Sequence, residues 1–563
     1  MLRMSKFFGS LLMLSFIISL PSFAQDLKSA IKLTEREEFD AAHKMFDGLI
    51  AKEPNNGDNY YYNGECWIKQ FLVDSMSVSL KEVTNAAMKN FNLGMEKDSL
   101  NPLNYVGAGR VYVLLRKTKE ASVKFDKAKK HLPWKNFSKS KEVTVEKQAL
   151  TFAKIAEALL KATDTTRTET KLLDLIDKAV ERCATVPEVF LIKGDVYLTY
   201  NDGSNAIVAY IKANDLDPQS CKAMVKLGEL NVRGRNYNDA IENYKSAIKI
   251  DSSFSPAYRG FAELYGLAGQ WENAIKYYQK FLELSGKNTY AKFRYASFLF
   301  MAKKYDEALQ VINEVLATDK SYILLYRLAG YSYYETGKYQ DGLTAIETFM
   351  KETPPDKIIA SDYTYWGDLL VKLKKDSLAI GKYQNAYGMD STGCDLLTKI
   401  AKSYSKMKKY EKAAEEYQKE INKNCATLQD LFDMGRAEFN LKKWDKVDTI
   451  MGTILAKKPD FIAALNFRAL ANANIDTTSE KGLAKKYYEQ LIALYMKDST
   501  KYVKELSQAY DYMRYYYFKQ YNITKKCEDA KNSILYCNKM LAYDPKDEKS
   551  LTIKKALLGR CPN

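Results

Sequence analysis

Residues 187–220 read PEVFLIKGDVYLTYNDGSNAIVAYIKANDLDPQS, and the same spacing of small and large apolar residues returns without a gap at starts 187, 221, 255, 289 and 323. Within the quoted stretch the recurring residues are Phe190, Gly194, Tyr197, Ala206, Tyr210, Ala213 and Pro218. The stretch beginning at Pro102 answers with Tyr105, Ala108, Gly109, Tyr112, Ala121, Phe125, Ala128 and Pro133, which fixes positions 4, 7, 8, 11, 20, 24, 27 and 32 of a 34-residue unit. A fixed period of this length marks stacked supersecondary units that share one continuous core. Each unit reads as a helical hairpin. Small residues at positions 8 and 20 let its two helices approach, aromatics at 4, 11, 17 and 24 fill the gaps between units, and proline near position 32 stops the second helix.

With 563 residues, length is here a repeat count. A hydrophobic content of 46%, and 42 tyrosines against 26 glycines and 12 prolines, exclude a disordered or collagen-like chain. The first 24 residues differ: Arg3 and Lys6 precede an apolar run from Phe7 to Leu20, and Ser22 and Ala24 fit the small-x-small site of a signal peptidase. A signal peptide over 1–24 is expected, with Gln25 as the first mature residue. The run is shorter than the roughly 20 residues a spanning helix needs, and cysteine does not follow the cut. Removing Arg3 and Lys6 takes the formal charge from +16 to +14, and export makes that excess irrelevant to nucleic acid. The expected location is the bacterial periplasm, with outer-membrane association compatible with it.

The repeat resembles the tetratricopeptide repeat family over nearly the whole mature chain. The resemblance implies an all-α fold, a right-handed superhelical solenoid of about fourteen hairpins closed by a C-terminal capping helix. Residues 25–139 hold N-terminal hairpins, 140–186 an irregular hairpin with a polar turn at Thr163–Thr170, and 187–359 the regular array. After a phase shift at Pro355 the array continues over 360–498 with starts at Ala360, Cys394, Leu428 and Ile462, and 499–563 form a last hairpin and cap. The cap is placed at 547–559, with Leu551, Ile553, Ala556, Leu557 and Leu558 as its apolar side. The Lys-, Asn- and Tyr-rich composition behind a secretion signal resembles exported repeat proteins of Bacteroidota.

In this family the first helix of each hairpin lines a concave groove, chiefly through positions 2, 5, 9, 12 and 13. Carried onto this sequence, those positions give Arg259, Glu263, Tyr290, Phe293, Phe300, Met301, Leu324, Arg327, Tyr331, Tyr334 and Glu335. Arg259, Glu263, Tyr290, Phe293, Phe300, Arg327, Tyr331 and Tyr334 are the expected partner-binding groove, because aromatic and Arg side chains concentrate contact energy. For Phe293 and Phe300, packing between neighbouring helices is the stronger reading. The family's chaperone-tail clamp, Lys and Asn at positions 5 and 9, is missing: Val225 with Glu229, Arg327 with Tyr331 and Thr398 with Lys402 stand there.

Lys303-Lys304, Lys374-Lys375, Lys408-Lys409 and Lys442-Lys443 all fall at positions 15 and 16, as does Arg116-Lys117, and form a basic ridge along one edge. The ridge suits an anionic surface, although lysine after a helix C-terminus is also what the helix dipole favours. Export permits disulfides, and two pairs suit antiparallel hairpins: Cys394 with Cys425, and Cys527 with Cys561. Cys66 and Cys537 read as packing residues.

No Gly-rich phosphate loop, zinc knuckle, His-Glu-x-x-His or nucleophile elbow is present, so no enzyme activity, cofactor or metal is expected. His43 and His131 read as surface residues. The leading function is a non-enzymatic scaffold or adaptor that binds envelope proteins or peptide segments in its groove. The alternative is a binder of envelope glycan or an anionic surface, with aromatics stacking on sugars and the ridge meeting anions. The oligomeric state is unreadable from sequence.

Overall fold

The computed structural model describes residues 26–75, 78–133, 143–162, 167–286 and 289–561. The expected signal peptide over 1–24 lies outside them, as do parts of the 140–186 segment. Among the described residues, 29 α-helices follow one another in antiparallel pairs, giving fourteen hairpins and a final single helix. The expected all-α array of about fourteen hairpins with a cap is therefore present.

The chain divides into two compact units, residues 1–328 and 329–563. Hairpins one to four of the first unit pair Leu27–Glu35 with Phe39–Lys52, Gly57–Val73 with Leu80–Lys97, Pro102–Leu114 with Thr118–Lys130, and Val145–Leu159 with Glu169–Arg182. Hairpins five to eight pair Pro187–Thr199 with Gly203–Leu216, Cys221–Arg233 with Tyr237–Ile250, Ser255–Leu267 with Trp271–Ser285, and Thr289–Met301 with Tyr305–Thr318. Hairpin nine, Ile323–Glu335 with Tyr339–Glu352, carries the boundary in its first helix. Hairpins ten to fourteen pair Ala360–Lys372 with Asp376–Met389, Asp395–Lys406 with Tyr410–Asn422, Leu428–Asn440 with Trp444–Lys457, Ile462–Ile475 with Lys485–Tyr495, and Val503–Thr524 with Cys527–Tyr543. Helix Glu548–Leu557 ends the array.

The packing follows from the repeat. Gly194 lies so close to Tyr210, which is fully buried, that a Cβ built on it would run into the ring; the two helices meet at that distance because position 8 has no side chain. The first helices of hairpins three, five, six, eight, ten, eleven and twelve are followed by a residue in the left-handed region, where Arg116, Asn201, Arg235, Lys303, Lys374, Lys408 and Lys442 have φ of 58–64°, and Gly269 and Gly337 take the same place in hairpins seven and nine. At Lys408 the turn closes through its own N–H to the Ser405 carbonyl at 3.0 Å and the Lys409 N–H to the Tyr404 carbonyl at 2.9 Å. The first lysine of each pair thus caps one helix, and the second, as in Lys304, Lys375, Lys409 and Lys443, precedes the next.

First helices of successive hairpins pack directly on one another through hairpins one to five, as Pro102–Leu114 does on Val145–Leu159, between six and seven, and in the second unit between twelve and thirteen, whereas second helices pack chiefly on first helices. The first helices therefore form the inner face of each unit. Cys394 and Cys425 are disulfide-bonded with Cα atoms 6.4 Å apart, and Cys527 and Cys561 with Cα atoms 5.5 Å apart. The second bond ties down the cap, whose apolar side is narrower than the sequence implies: Leu557 is buried beside Tyr521 and Ala530, while Leu551 and Leu558 are exposed. The surface reading of His43 is also corrected. Its ring stacks on Trp67 at 4.1 Å with Nδ1 2.7 Å from Asn63 Oδ1, and burial lowers its pKa.

Candidate interaction surface

The inner face of the first unit is occupied by its own charges. Glu65 pairs with Arg110 at 2.5 Å, Arg110 with Glu157 at 3.2 Å, Glu157 with Lys154 at 2.7 Å, and Glu188 holds both Lys154 and Lys222 at 2.7 Å. These residues come from the first helices of hairpins two to six, so an alternating ladder crosses five units. Burial alone would raise the Glu157 and Glu188 carboxyls, but Lys154, with Arg110 for the first and Lys222 for the second, holds both well below the usual carboxylate range.

The N-terminal hairpin closes onto the same face. Arg36 donates twice to Asp251 at 2.8 Å, Ser255 Oγ donates to the Arg36 carbonyl at 2.6 Å, and Arg259 Nη1 reaches both Glu37 oxygens at 2.7 and 2.8 Å. Arg259 is thus bound within the chain, and Glu263 is held by Arg294. Asp74, beyond the first helix of hairpin two, accepts from the N–H groups of Thr289 and Tyr290 at 2.8 and 3.3 Å, supplying acceptors to a helix start. Tyr290 is exposed and Phe293 half-buried beside it, with ring centroids 6.3 Å apart. Phe300 packs edge-on against Tyr305 of its own hairpin. Arg327 is half-buried.

In the second unit Tyr331 is buried; its hydroxyl donates to Asp362 at 2.6 Å and its ring stacks on Tyr365 at 3.9 Å. Tyr334 is half-buried, edge-on to Tyr365. The eight groove residues are therefore not one open patch. Most join neighbouring helices, and Tyr290 is the exposed one. The ridge lysines of this unit, Lys374, Lys375, Lys408, Lys409, Lys442 and Lys443, stand exposed in the turns; Lys303 is exposed as well, and Lys304 of the first unit pairs with Glu272 at 2.9 Å.

A recurring polar contact went unread in the sequence. Asp195 accepts from Tyr210 and Lys226, and Asp368 from Tyr383 and Lys399, all at 2.6–2.7 Å, while Glu263 pairs with Arg294 in the same register. The signal was available: an acid at position 9 followed 31 residues later by a cation at position 6. Each rung ties one first helix to the next.

Two clefts open on the inner face of the second unit. The larger, about 770 Å³, lies among the first helices of hairpins thirteen and fourteen and the cap, and is lined by Leu470, Ala473, Tyr488, Tyr512, Tyr515 and Ile553, with Asp511, Glu548 and Lys549 at the polar end. Tyr515 is 40% exposed there. The smaller, about 410 Å³, lies between hairpins eleven and twelve and is lined by Lys402, Ser405, Lys406, Tyr417, Arg436 and Asn440, among others. Among the described residues no group of His, Cys, Asp and Glu is placed to hold a metal ion, and no helix is long and apolar enough to cross a membrane.

Comparison with known proteins gives the same repeat. Residues 268–349 match the family model for the anaphase-promoting complex, cyclosome, subunit 3. A TPR repeat-containing protein of Methanocaldococcus jannaschii is 28% identical over 23% of this chain and 25% of its own length. The TPR repeat-containing protein YpiA of Bacillus subtilis is 22% identical over 43% of this chain and 57% of its own. The chain thus spans about a quarter and just over half of these relatives. The crystal structure of the C-terminal part of a TPR repeat-containing protein from Cytophaga hutchinsonii is 31% identical, with 46% of this chain and 98% of that chain covered and a TM-score of 0.39.

Proposed function

The chain belongs to the tetratricopeptide repeat family, and on that premise we propose that it is a non-enzymatic scaffold that holds segments of partner proteins against the inner face of its second unit. Proteins of this repeat family generally mediate protein–protein interaction. The observation that carries the reading is the 770 Å³ cleft: it spans the last three inner helices and combines apolar floor residues with three tyrosines and a charged end. Tyrosines contribute contact area at low entropy cost and can still hydrogen-bond, which suits capture of a peptide segment. The first unit's inner face, by contrast, is spent on its own ion pairs.

The proposal includes the place. Arg3, Lys6, the apolar run to Leu20 and the Ser22–Ala24 site support export, and two disulfides suit an oxidising compartment such as the periplasm. The partners are then envelope proteins, and the exported Bacteroidota type belongs to the same reading, supported by composition.

The test is photo-crosslinking in the native cell from a probe at Tyr515, with adducts identified by mass spectrometry. A discrete protein adduct that disappears when Leu470→Asp is added, in a chain that stays folded, is the expected result. No adduct, with the chain folded and exported, overturns the cleft as the partner site. Retention of envelope glycan by the pure protein, lost in Tyr515→Ala, would move the function to sugar stacking on the same tyrosines.

A further inference from the structure

The first unit is closed at two points by chain segments that lie far apart in sequence. At one, the turn of hairpin one meets hairpins six and seven: Arg36 donates twice to Asp251 at 2.8 Å, Ser255 Oγ donates to the Arg36 carbonyl at 2.6 Å, and Arg259 holds Glu37 at 2.7 Å. At the other, Asp74 of hairpin two accepts from the N–H groups that open hairpin eight, Thr289 at 2.8 Å and Tyr290 at 3.3 Å. Glu37, Asp74, Asp251 and Ser255 are all buried. Each point is therefore specified, and neither follows from the repeat, whose own contacts join neighbouring hairpins.

Closure is polar. The apolar side of hairpin one, with Phe39, Ala42, Phe46 and Leu49, faces Tyr62 and Cys66 of hairpin two, and among the described residues none of its helices packs along a helix of hairpins six to eight. Beneath the seam a cleft of about 260 Å³ stays open, with Thr34, Glu37 and Leu72 on one side and Val225, Phe254 and Pro256 on the other. Unfilled space forfeits the dispersion contacts that would join the two sides. Lys69 lines the same cleft and, among the described residues, has no carboxylate at ion-pair distance. Burial first, then Lys222 and Lys154, hold its amine below the usual lysine range against the opposing pull of Glu35 and Glu188. Like charge under the seam works against closure, so a few directional contacts hold it. Because hairpins one and two share one apolar cluster, they move together, and the two points break together.

We propose that hairpin one, with Asp74, is a two-point latch that opens in one step and gates the inner face of hairpins six to eight. Closed, it covers Val225, Phe254, Pro256 and Arg259 with the chain's own N-terminal hairpin. Open, it leaves them to a partner segment. The latch stands apart from the partner cleft of the second unit, so either can fail alone.

The experiment is hydrogen exchange of the full chain, with single amides resolved by fragmentation mass spectrometry. The Thr289 and Tyr290 amides open a helix and have no acceptor within it, so they report the second point. Arg36→Gln/Glu37→Gln touches only the first point, yet is expected to speed exchange at Thr289 and Tyr290 about tenfold, the size of one lost charge-assisted contact. Asp74→Asn is expected to do the same over Leu27–Lys52, and decides alone if circular dichroism shows the double variant unfolded. Alkylation of Cys221 by iodoacetamide reads the gate itself: this buried thiol is acted on by both Asp251 and Lys32, and burial, then Asp251, push it up to about 11. Opening uncovers the sulfur and frees its thiolate, so alkylation should quicken about tenfold in the double variant. Faster exchange confined to Leu27–Lys52 means that hairpin one merely frays, and overturns the latch. Equal acceleration in Trp444–Lys457 of the second unit means general destabilisation, and overturns it too. An unchanged Cys221 rate removes the gate. The Tyr515 adduct reports a different surface, and its presence or absence leaves these outcomes as they stand.

Discussion

At the scale of single residues, the repeat explains both order and its local costs. Position 15 must be left-handed to turn the chain between helices, and Lys408, at φ 59°, occupies a region that disfavours every side chain. Lys408→Gly is expected to stabilise the second unit by about 0.5 to 1 kcal/mol, read as a higher urea midpoint; an unchanged or lower midpoint would contradict this account. Glu420 is the other exposed tension. It is fully buried, accepts from the Thr398 hydroxyl on one oxygen at 2.8 Å and leaves the other without a partner. Around it lie Thr398 and Lys402 from the preceding helix, Glu416 from its own and Asp430 from the next. Burial comes first among the causes, and Asp430 and Glu416 add to it, while Thr398 and Lys402 oppose; the carboxyl moves from 4.5 up to about 7. A raised carboxyl binds its proton more tightly in the folded chain, so its contribution is full below about pH 4.5 and is lost as pH rises through about 7. Glu420→Gln should therefore raise the melting temperature more at pH 8 than at pH 5. Equal shifts at both pH values would remove Glu420 as the source.

At the scale of helices, the apolar contacts and turns within a hairpin are legible in the sequence, whereas polar contacts of equal range, such as Tyr210 with Asp195, are not. Gly194 with Tyr210 and the turn at Lys408 lie within one hairpin, and a 34-residue period reports them directly. Positions facing the inner side were harder to read, because their partners come from other units. Arg259 was expected to meet a ligand and instead holds Glu37, 222 residues away, and Tyr331 is sealed against Asp362 and Tyr365 of the next hairpin. Removing the acid tests the first of these. Glu37→Ala leaves Arg259 without its carboxylate and is expected to cost about 2 kcal/mol, concentrated in hairpin one. Hydrogen exchange should then speed up in Leu27–Lys52 with little change in hairpins four and five. Uniform acceleration across the first unit would show that the contact stabilises the whole face.

At the scale of the molecule, stability in a repeat array is a sum of units and nearest-neighbour interfaces, so each end must be sealed. Helix Glu548–Leu557 seals one end with a single well-buried apolar side chain, Leu557, and the Cys527–Cys561 bond compensates for so small a core. Closing a loop of 34 residues stabilises by about 4 kcal/mol in the chain-entropy account. The variant Cys527→Ser/Cys561→Ser should lower the calorimetric transition of the second unit and leave that of the first in place. A shift of both transitions would mean that the two units unfold as one.

The sequence by itself determined the fold class, the number of hairpins and the ends of most helices. These follow from contacts a few residues or one unit apart, which a period makes visible. Only the tertiary structure decided which inner-face residues are free to meet a partner. Arg259, Glu263 and Tyr331 have the same chemistry as the exposed groove residue Tyr290 and its kind, yet each is held within the chain. Whether a charge or a tyrosine is satisfied within the chain depends on what stands opposite it after the helices stack. That partner sits in the next unit or more than 200 residues away, where no local pattern records it.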